Sequence, residues 1–197
     1  MLFTYIDHVK NRYYARGEER IEYSKGEFKE FYWEGPLQRH YHEKDGEYHG
    51  EYKSYYDNGQ LEIHCYYQNG KRHGEYKEYH KNGQLRIHTH YLNNMCHGEF
   101  KEYHENGQLS SEFYYVNDGL HGDFETYDHD GRIFEHLSFR NGKHHGVFKS
   151  YNVDGTIYSA KFYYNNKDLK VDPDILTEQD KMYIMMSGRL PPKEPSC

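Results

Sequence analysis

The sequence predicts an all-β fold: an elongated solenoid of stacked antiparallel β-hairpins in 24-residue repeats, with a short C-terminal capping helix. Three observations lead to this prediction. Glycine recurs every 24 residues, at positions 26, 50, 74, 98, 122 and 146. A second glycine follows in each repeat, at positions 35, 59, 83, 107, 131 and 155. Aromatic residues make up 18% of the chain and all hydrophobic residues only 35%, which favours a thin aromatic core repeated along the chain.

Each repeat is predicted to contain two strands and two tight turns. Residues 61–67 (LEIHCYY) alternate core and outward side chains with the period of two that a half-buried strand requires. Residues 51–56 (EYKSYY) are rich in strand formers, but their aromatic columns lie three apart, which indicates a bulge or burial on both faces. The turns are Asp57-Asn58-Gly59 and Asn69-Gly70, whose residues tolerate positive φ. The predicted core is four columns of side chains with a 24-residue spacing, which begin at Phe28, Phe31, Leu37 and Tyr67.

The two ends of the chain depart from the repeat. Residues 1–25 are predicted to form an N-terminal cap, residues 26–169 six repeats, and residues 170–197 a capping helix with a flexible tail. Thr177 is a good N-cap and Gly188 a good helix-ending residue, so that the helix is expected over about 178–187. This helix is predicted to act as a cap that packs Met182, Ile184 and Met185 on the last hairpin, and the alternative is that it docks a partner.

Charge and cysteine content argue against several classes of function. The formal net charge is −7, and a net acidic chain is a poor partner for nucleic acid. The three cysteines are unclustered, which fits free thiols in a reducing cytosol. The first residues carry no secretory signal, and no apolar run approaches the roughly 20 residues of a membrane span. We therefore expect a cytoplasmic protein, with peripheral membrane association as the alternative.

The stretch HGEYKEYHKNGQL at residues 73–85 suggests chemistry, because it gathers histidine, glutamate and tyrosine. Zinc needs its ligands about 2.0–2.1 Å away, whereas histidines one repeat apart are expected to stand about 10 Å apart in the stack. Catalysis generally needs one special place, and the six repeats are alike. We therefore predict no metal, no cofactor and no catalytic residue, and we expect His73 to close the turn beside Gly74.

A binding surface remains as the candidate site. The predicted protein-binding residues are outward-facing rings, because such rings give contact area at low entropic cost. They are His64, Tyr66, His88, His90, Tyr114 and His136. The alternative is that these rings only stabilise the sheet as cross-strand pairs.

A column of lysines could instead attract anionic lipid. These lysines are Lys29, Lys53, Lys77, Lys101 and Lys149. Glu30, Glu78 and Glu102 stand next to three of them in the sequence, which predicts that the column is neutralised. Lipid binding is therefore the less favoured hypothesis.

The repeat unit G-E-Y-K-E-Y-H-K-N-G-Q-L resembles the MORN repeat, particularly the variant found in YwqK antitoxin-like bacterial proteins. The resemblance implies a solenoid of hairpins that acts as a scaffold, a dimerisation element or a protein-binding surface, with lipid-headgroup binding in some members. The function expected is thus a non-enzymatic scaffold for protein–protein interaction or assembly, which includes homo-oligomers. The alternatives are a membrane-surface adaptor for anionic lipid and an antitoxin-like partner protein.

Overall fold

The computed structural model describes residues 3–7, 12–15, 20–33 and 35–191, and these residues form two compact units that divide after Gly107. In each unit the strands lie in chain order, and every strand pairs antiparallel with the next. The prediction of an all-β fold of antiparallel hairpins in 24-residue repeats is confirmed.

The first unit contains ten strands among its described residues. They are β1 (Phe3–Asp7), β2 (Arg12–Ala15), β3 (Arg20–Ser24), β4 (Glu27–Phe31), β5 (Leu37–Lys44), β6 (Glu47–Tyr55), β7 (Leu61–Gln68), β8 (Lys71–Tyr79), β9 (Leu85–Leu92) and β10 (Met95–Tyr103). The first three of these strands lie within the segment predicted as an N-terminal cap.

The second unit contains six strands and two helices among its described residues. They are β11 (Leu109–Val116), β12 (Gly119–Tyr127), β13 (Ile133–Arg140), β14 (Lys143–Tyr151), β15 (Ile157–Tyr164), β16 (Lys167–Asp168), a 3₁₀ helix (Pro173–Ile175) and α1 (Glu178–Ser187). Cys197 and most of the predicted tail fall outside the described residues.

Asparagine sets the tight turns because it accepts positive φ. Asn69 and Gly70 join β7 to β8 with φ angles of 50° and 71°, and Asn93 and Asn94 join β9 to β10 with 54° and 70°. Two consecutive left-handed residues define the turn type that matches the twist of a hairpin. The turns also connect successive repeats, because the Gly70 amide donates to the Tyr48 carbonyl at 2.9 Å.

The two faces of the sheet differ in chemistry. We call one the aromatic face; in the first unit Tyr41, Tyr52, Cys65, Tyr76 and Thr89 stand in register across it. Tyr41, Cys65, Tyr76 and Thr89 are buried, whereas most members of the four predicted core columns are only half-buried. The predicted core therefore lacked one column, in which Tyr41, Cys65 and Thr89 are spaced by 24 residues.

The opposite face, which we call the charged face, carries histidine and lysine in register. His40, Lys53, His64, Lys77 and His88 follow one another across five strands. Because neighbouring residues of a strand point to opposite faces, His64 lies on the charged face and Cys65 on the aromatic face.

Helix α1 has the predicted bounds and caps. The Thr177 hydroxyl accepts from the Asp180 amide, and Gly188 ends the helix in the left-handed conformation. Ile184 is fully buried as predicted. The prediction for Met182 is wrong, because its side chain is 62% exposed. It lies two residues before Ile184, and residues two apart do not share a helix face.

Candidate functional site

On the charged face a carboxylate, an ammonium and an imidazole meet in consecutive repeats. Glu51 Oε1 lies 2.8 Å from Lys53 Nζ and 2.9 Å from His64 Nε2. Lys53 and then His64 hold the pKa of the Glu51 carboxyl below its usual value. The same arrangement recurs as Glu27–Lys29–His40 and Glu75–Lys77–His88. These side chains form a repeated ion-pair ladder on the sheet.

The ladder shows that the lysines are paired with other carboxylates than the sequence predicted. The partner of Lys53 is Glu51, two residues before it on the same face. Glu30 and Glu78 instead serve the aromatic face, where Tyr41 donates to Glu30 at 2.8 Å and Tyr76 to Glu78 at 3.0 Å. Adjacent residues in a strand point to opposite faces, so that the sequence neighbours of a lysine cannot be its partners.

The four predicted site residues of the first unit lie on the charged face. His64 and His88 are held by Glu51 and Glu75 in the ladder. Tyr66 and His90 lie beside it and are exposed, with their rings 5.3 Å from His64 and 5.7 Å from His88 respectively. The accessible part of the candidate surface in this unit is therefore Tyr66 and His90.

The second unit holds the other two predicted residues. Tyr114 is 46% exposed on β11. His136 Nδ1 lies 3.1 Å from Glu125 Oε1, and its Nε2 lies 3.6 Å from Asp123 Oδ1. Tyr114 resembles Tyr66 in being open to solvent, whereas His136 resembles the paired histidines of the first unit.

In the second unit the charged face is the one that carries Glu125, His136 and Lys149, and it becomes apolar in the last repeat. The column of Tyr66, His90 and Tyr114 continues, at a 24-residue spacing, with Ser138 and Phe162. Phe162 stands opposite Val147 and is only 1% exposed. Helix α1 packs on β14, and Asp174 in the segment before it accepts from Lys149 Nζ at 2.5 Å. The chain thus places its own C-terminal segment on this face.

The two histidines of the stretch at residues 73–85 have structural roles. His80 Nε2 donates to the carbonyl of Tyr103 at 2.8 Å, as the Tyr56 hydroxyl donates to Tyr79 one repeat earlier. The expectation that His73 closes a turn is wrong, because His73 lies inside β8 at a bulge. Gly74, the next residue, has a φ angle of 94°, a backbone conformation that residues with a side chain rarely adopt.

Within the described residues, no three histidine, cysteine or acidic side chains are grouped so that they could hold a metal ion. In the part of the chain that the structure describes, no helix is long and apolar enough to cross a membrane.

A comparison with family models agrees with the structural repeat. Residues 48–69, 72–93 and 97–117 match the model of the MORN repeat variant. Residues 48–117 thus carry three consecutive variant MORN repeats. These repeats commonly serve as protein- or lipid-binding scaffolds. A comparison with curated proteins gives no match.

Two features of the 24-residue repeats were not predicted from the sequence. The carboxylates of the ladder directly follow the first glycine of the first four repeats, at Glu27, Glu51, Glu75 and Glu99, and this column could have been found. The apolar end of the charged face had a weaker signal in the sequence. In the column of Tyr66, His90 and Tyr114, this signal is the change to phenylalanine at Phe162. This change can be interpreted only when it is known which residues share a face with Phe162, and that depends on the register of the strands.

Proposed function

We propose that the protein is a non-enzymatic scaffold that binds a protein partner on the charged face of its MORN repeats. The contact residues are the exposed rings of Tyr66 and His90 in the first unit, and the exposed ring of Tyr114 is a separate contact in the second unit. His64 and His88 lie next to Tyr66 and His90 and fix the charges around that contact. His136 is paired with Glu125 and Asp123 in the second unit. The proposed compartment is the cytoplasm.

One observation carries the proposal: the column that holds these rings ends under a segment of the chain itself. Phe162 is in this column, is buried, and lies under the segment that includes α1. A column that accepts a packed segment in the last repeat is suited to accept one in earlier repeats, where its side chains are still exposed. Aromatic side chains at such positions give large contact area with few rotatable bonds.

The ladder supports this function rather than lipid binding. Each of Lys29, Lys53, Lys77 and Lys101 has a carboxylate within about 3 Å, two residues before it. Attraction to an anionic membrane needs clustered basic residues whose charge is not already neutralised. A fixed pattern of paired charges instead favours recognition of a complementary protein surface. An antitoxin-like role would be one case of such recognition.

The proposal is tested by quantitative affinity purification of the full chain from its source cells. The test variant combines Tyr66→Ser with His90→Ser, and the control is Val153→Ser, whose side chain is 78% exposed in a turn. We expect partners that the wild type and the control capture equally and that the double variant loses at least tenfold. Equal capture by all three proteins would refute the proposed surface.

A further inference from the structure

A groove of about 750 Å³ lies beside α1 on the charged face of the second unit. Its floor includes the small residues Gly122, Ser138 and Gly146 of β12–β14. One wall is formed by α1 through Lys181, Met182 and Met185. None of the six residues of the candidate surface is among its lining residues.

The groove arises from one substitution in the repeated column. Tyrosine or histidine fills this position at Tyr66, His90 and Tyr114, but Ser138 follows in the next repeat. The short serine side chain turns back to Asp123, to which its hydroxyl donates at 3.0 Å. The space of the missing ring is therefore open next to the helix.

The dimensions and spacing of the groove suit a second helix. A helix about 10 Å in diameter with a pitch of 5.4 Å occupies roughly 420 Å³ per turn, so that the groove accommodates about two turns. The residues of α1 that line it are Glu178, Lys181, Met182 and Met185. Their spacing of three, four and seven residues forms the ridge against which a neighbouring helix packs. Methionine adapts to the shape of such a partner.

The charge of the groove favours an acidic partner. Lys181 is already paired with Glu178 at 2.8 Å. Arg140 also lines the groove, and within the described residues its guanidinium has no carboxylate or hydrogen-bond partner. His145 adds no positive charge at neutral pH, because burial lowers the pKa of its imidazole. Asp123, the other carboxylate of the lining, accepts from the Ser138 hydroxyl at 3.0 Å and lies 3.6 Å from His136 Nε2. Among the described residues, Arg140 is therefore the charged side chain of the lining that lacks a partner.

We propose that this groove binds an amphipathic helix of a partner protein. Apolar side chains of that helix pack on Met182 and Met185 over the small-residue floor. A carboxylate of the helix meets the guanidinium of Arg140. This is recognition of a helix in a groove, in which anchors spaced three to four residues apart carry the contact. The inference rests on the proposed function in one respect, that the charged face binds protein.

The probe is a displayed library of 14-residue helical peptides with apolar residues at positions i, i+3, i+4 and i+7 and random residues elsewhere. It is selected on the full chain. We expect enriched peptides that carry Asp or Glu beside the apolar stripe. Their affinity should fall at least tenfold with Met182→Glu and with Ser138→Tyr, which restores the ring of the other repeats. Arg140→Gln should remove the preference for acidic peptides.

The matched control is Val153→Glu, an exposed apolar-to-acidic change outside the groove lining. It should leave peptide affinity unchanged. The Tyr66→Ser, His90→Ser variant should also bind the peptides like the wild type, which separates this groove from the surface of the proposed function. No enrichment, or equal binding to wild type and Ser138→Tyr, would overturn the inference.

Discussion

Replacing Phe162 with alanine tests how the C-terminal segment is held on the charged face. The Phe162 side chain is 1% exposed, and it lines the groove together with Met185 of α1. Removing a buried phenylalanine loses the transfer free energy of the ring and leaves a cavity, which together cost about 3–5 kcal/mol. We expect this loss in the free energy of unfolding of the second unit, measured by urea denaturation.

The matched control is Phe134→Ala in the same unit. Phe134 is 56% exposed, so that its removal should cost less than about 1 kcal/mol. Hydrogen exchange should locate the difference, because Phe162→Ala should increase exchange in α1 and Phe134→Ala should not. Equal losses for the two variants, or unchanged exchange in α1, would refute the placement of the C-terminal segment on Phe162.

Three further predictions concern the repeats themselves. Tyr56→Phe removes the hydroxyl that donates to the Tyr79 carbonyl at 2.7 Å in the next repeat, and should cost about 1 kcal/mol in urea denaturation. Burial raises the pKa of the Cys65 thiol to about 12, so that iodoacetamide followed by peptide mass mapping should leave Cys65 unmodified until the protein unfolds. Lys53 and Lys77 are the chief causes that lower the pKa values of Glu51 and Glu75 in the folded state. The two carboxylates therefore stabilise the fold at pH values above their unfolded pKa near 4.5, and this contribution is lost as the pH falls below that value.

Each of these predictions has an outcome that contradicts it. A Tyr158→Phe control, at an exposed tyrosine, should not change stability, and a loss equal to that of Tyr56→Phe would show that the repeat-to-repeat hydrogen bond is not the cause. Alkylation of Cys65 in the native protein would contradict its burial. Glu51→Gln combined with Glu75→Gln should flatten the decline of the urea midpoint between pH 5 and 3.5, and an unchanged decline would exclude the ladder as its source.

The sequence predicted those elements whose physical cause lies within a few residues. Asn69-Gly70 specifies its turn because both residues accept positive φ, and Thr177, Asp180 and Gly188 specify the ends of α1 by their local hydrogen bonds and conformation. The bulge expected from the aromatic spacing in β6 is present between Ser54 and Tyr55. In each case the residues that make the structure are also neighbours in the sequence.

Features that depend on register across strands were harder to predict. The buried column of Tyr41, Cys65 and Thr89 escaped attention because its residue type changes in every repeat, although its spacing does not. The partner of Lys53 was misassigned because the two faces were not separated along β6. The docking of α1 depends on Phe162 and Val147 meeting across two strands, which no local pattern specifies.

Site-specific photo-crosslinking in the source cell tests whether the charged face of the repeats binds a protein. Benzoylphenylalanine replaces Tyr66 in one variant, Tyr114 in a second, and the exposed turn residue Val153 in a control. We expect discrete cross-links to a partner protein at positions 66 and 114 that are absent at position 153. No cross-link at 66 and 114, or the same products at 153, would contradict it.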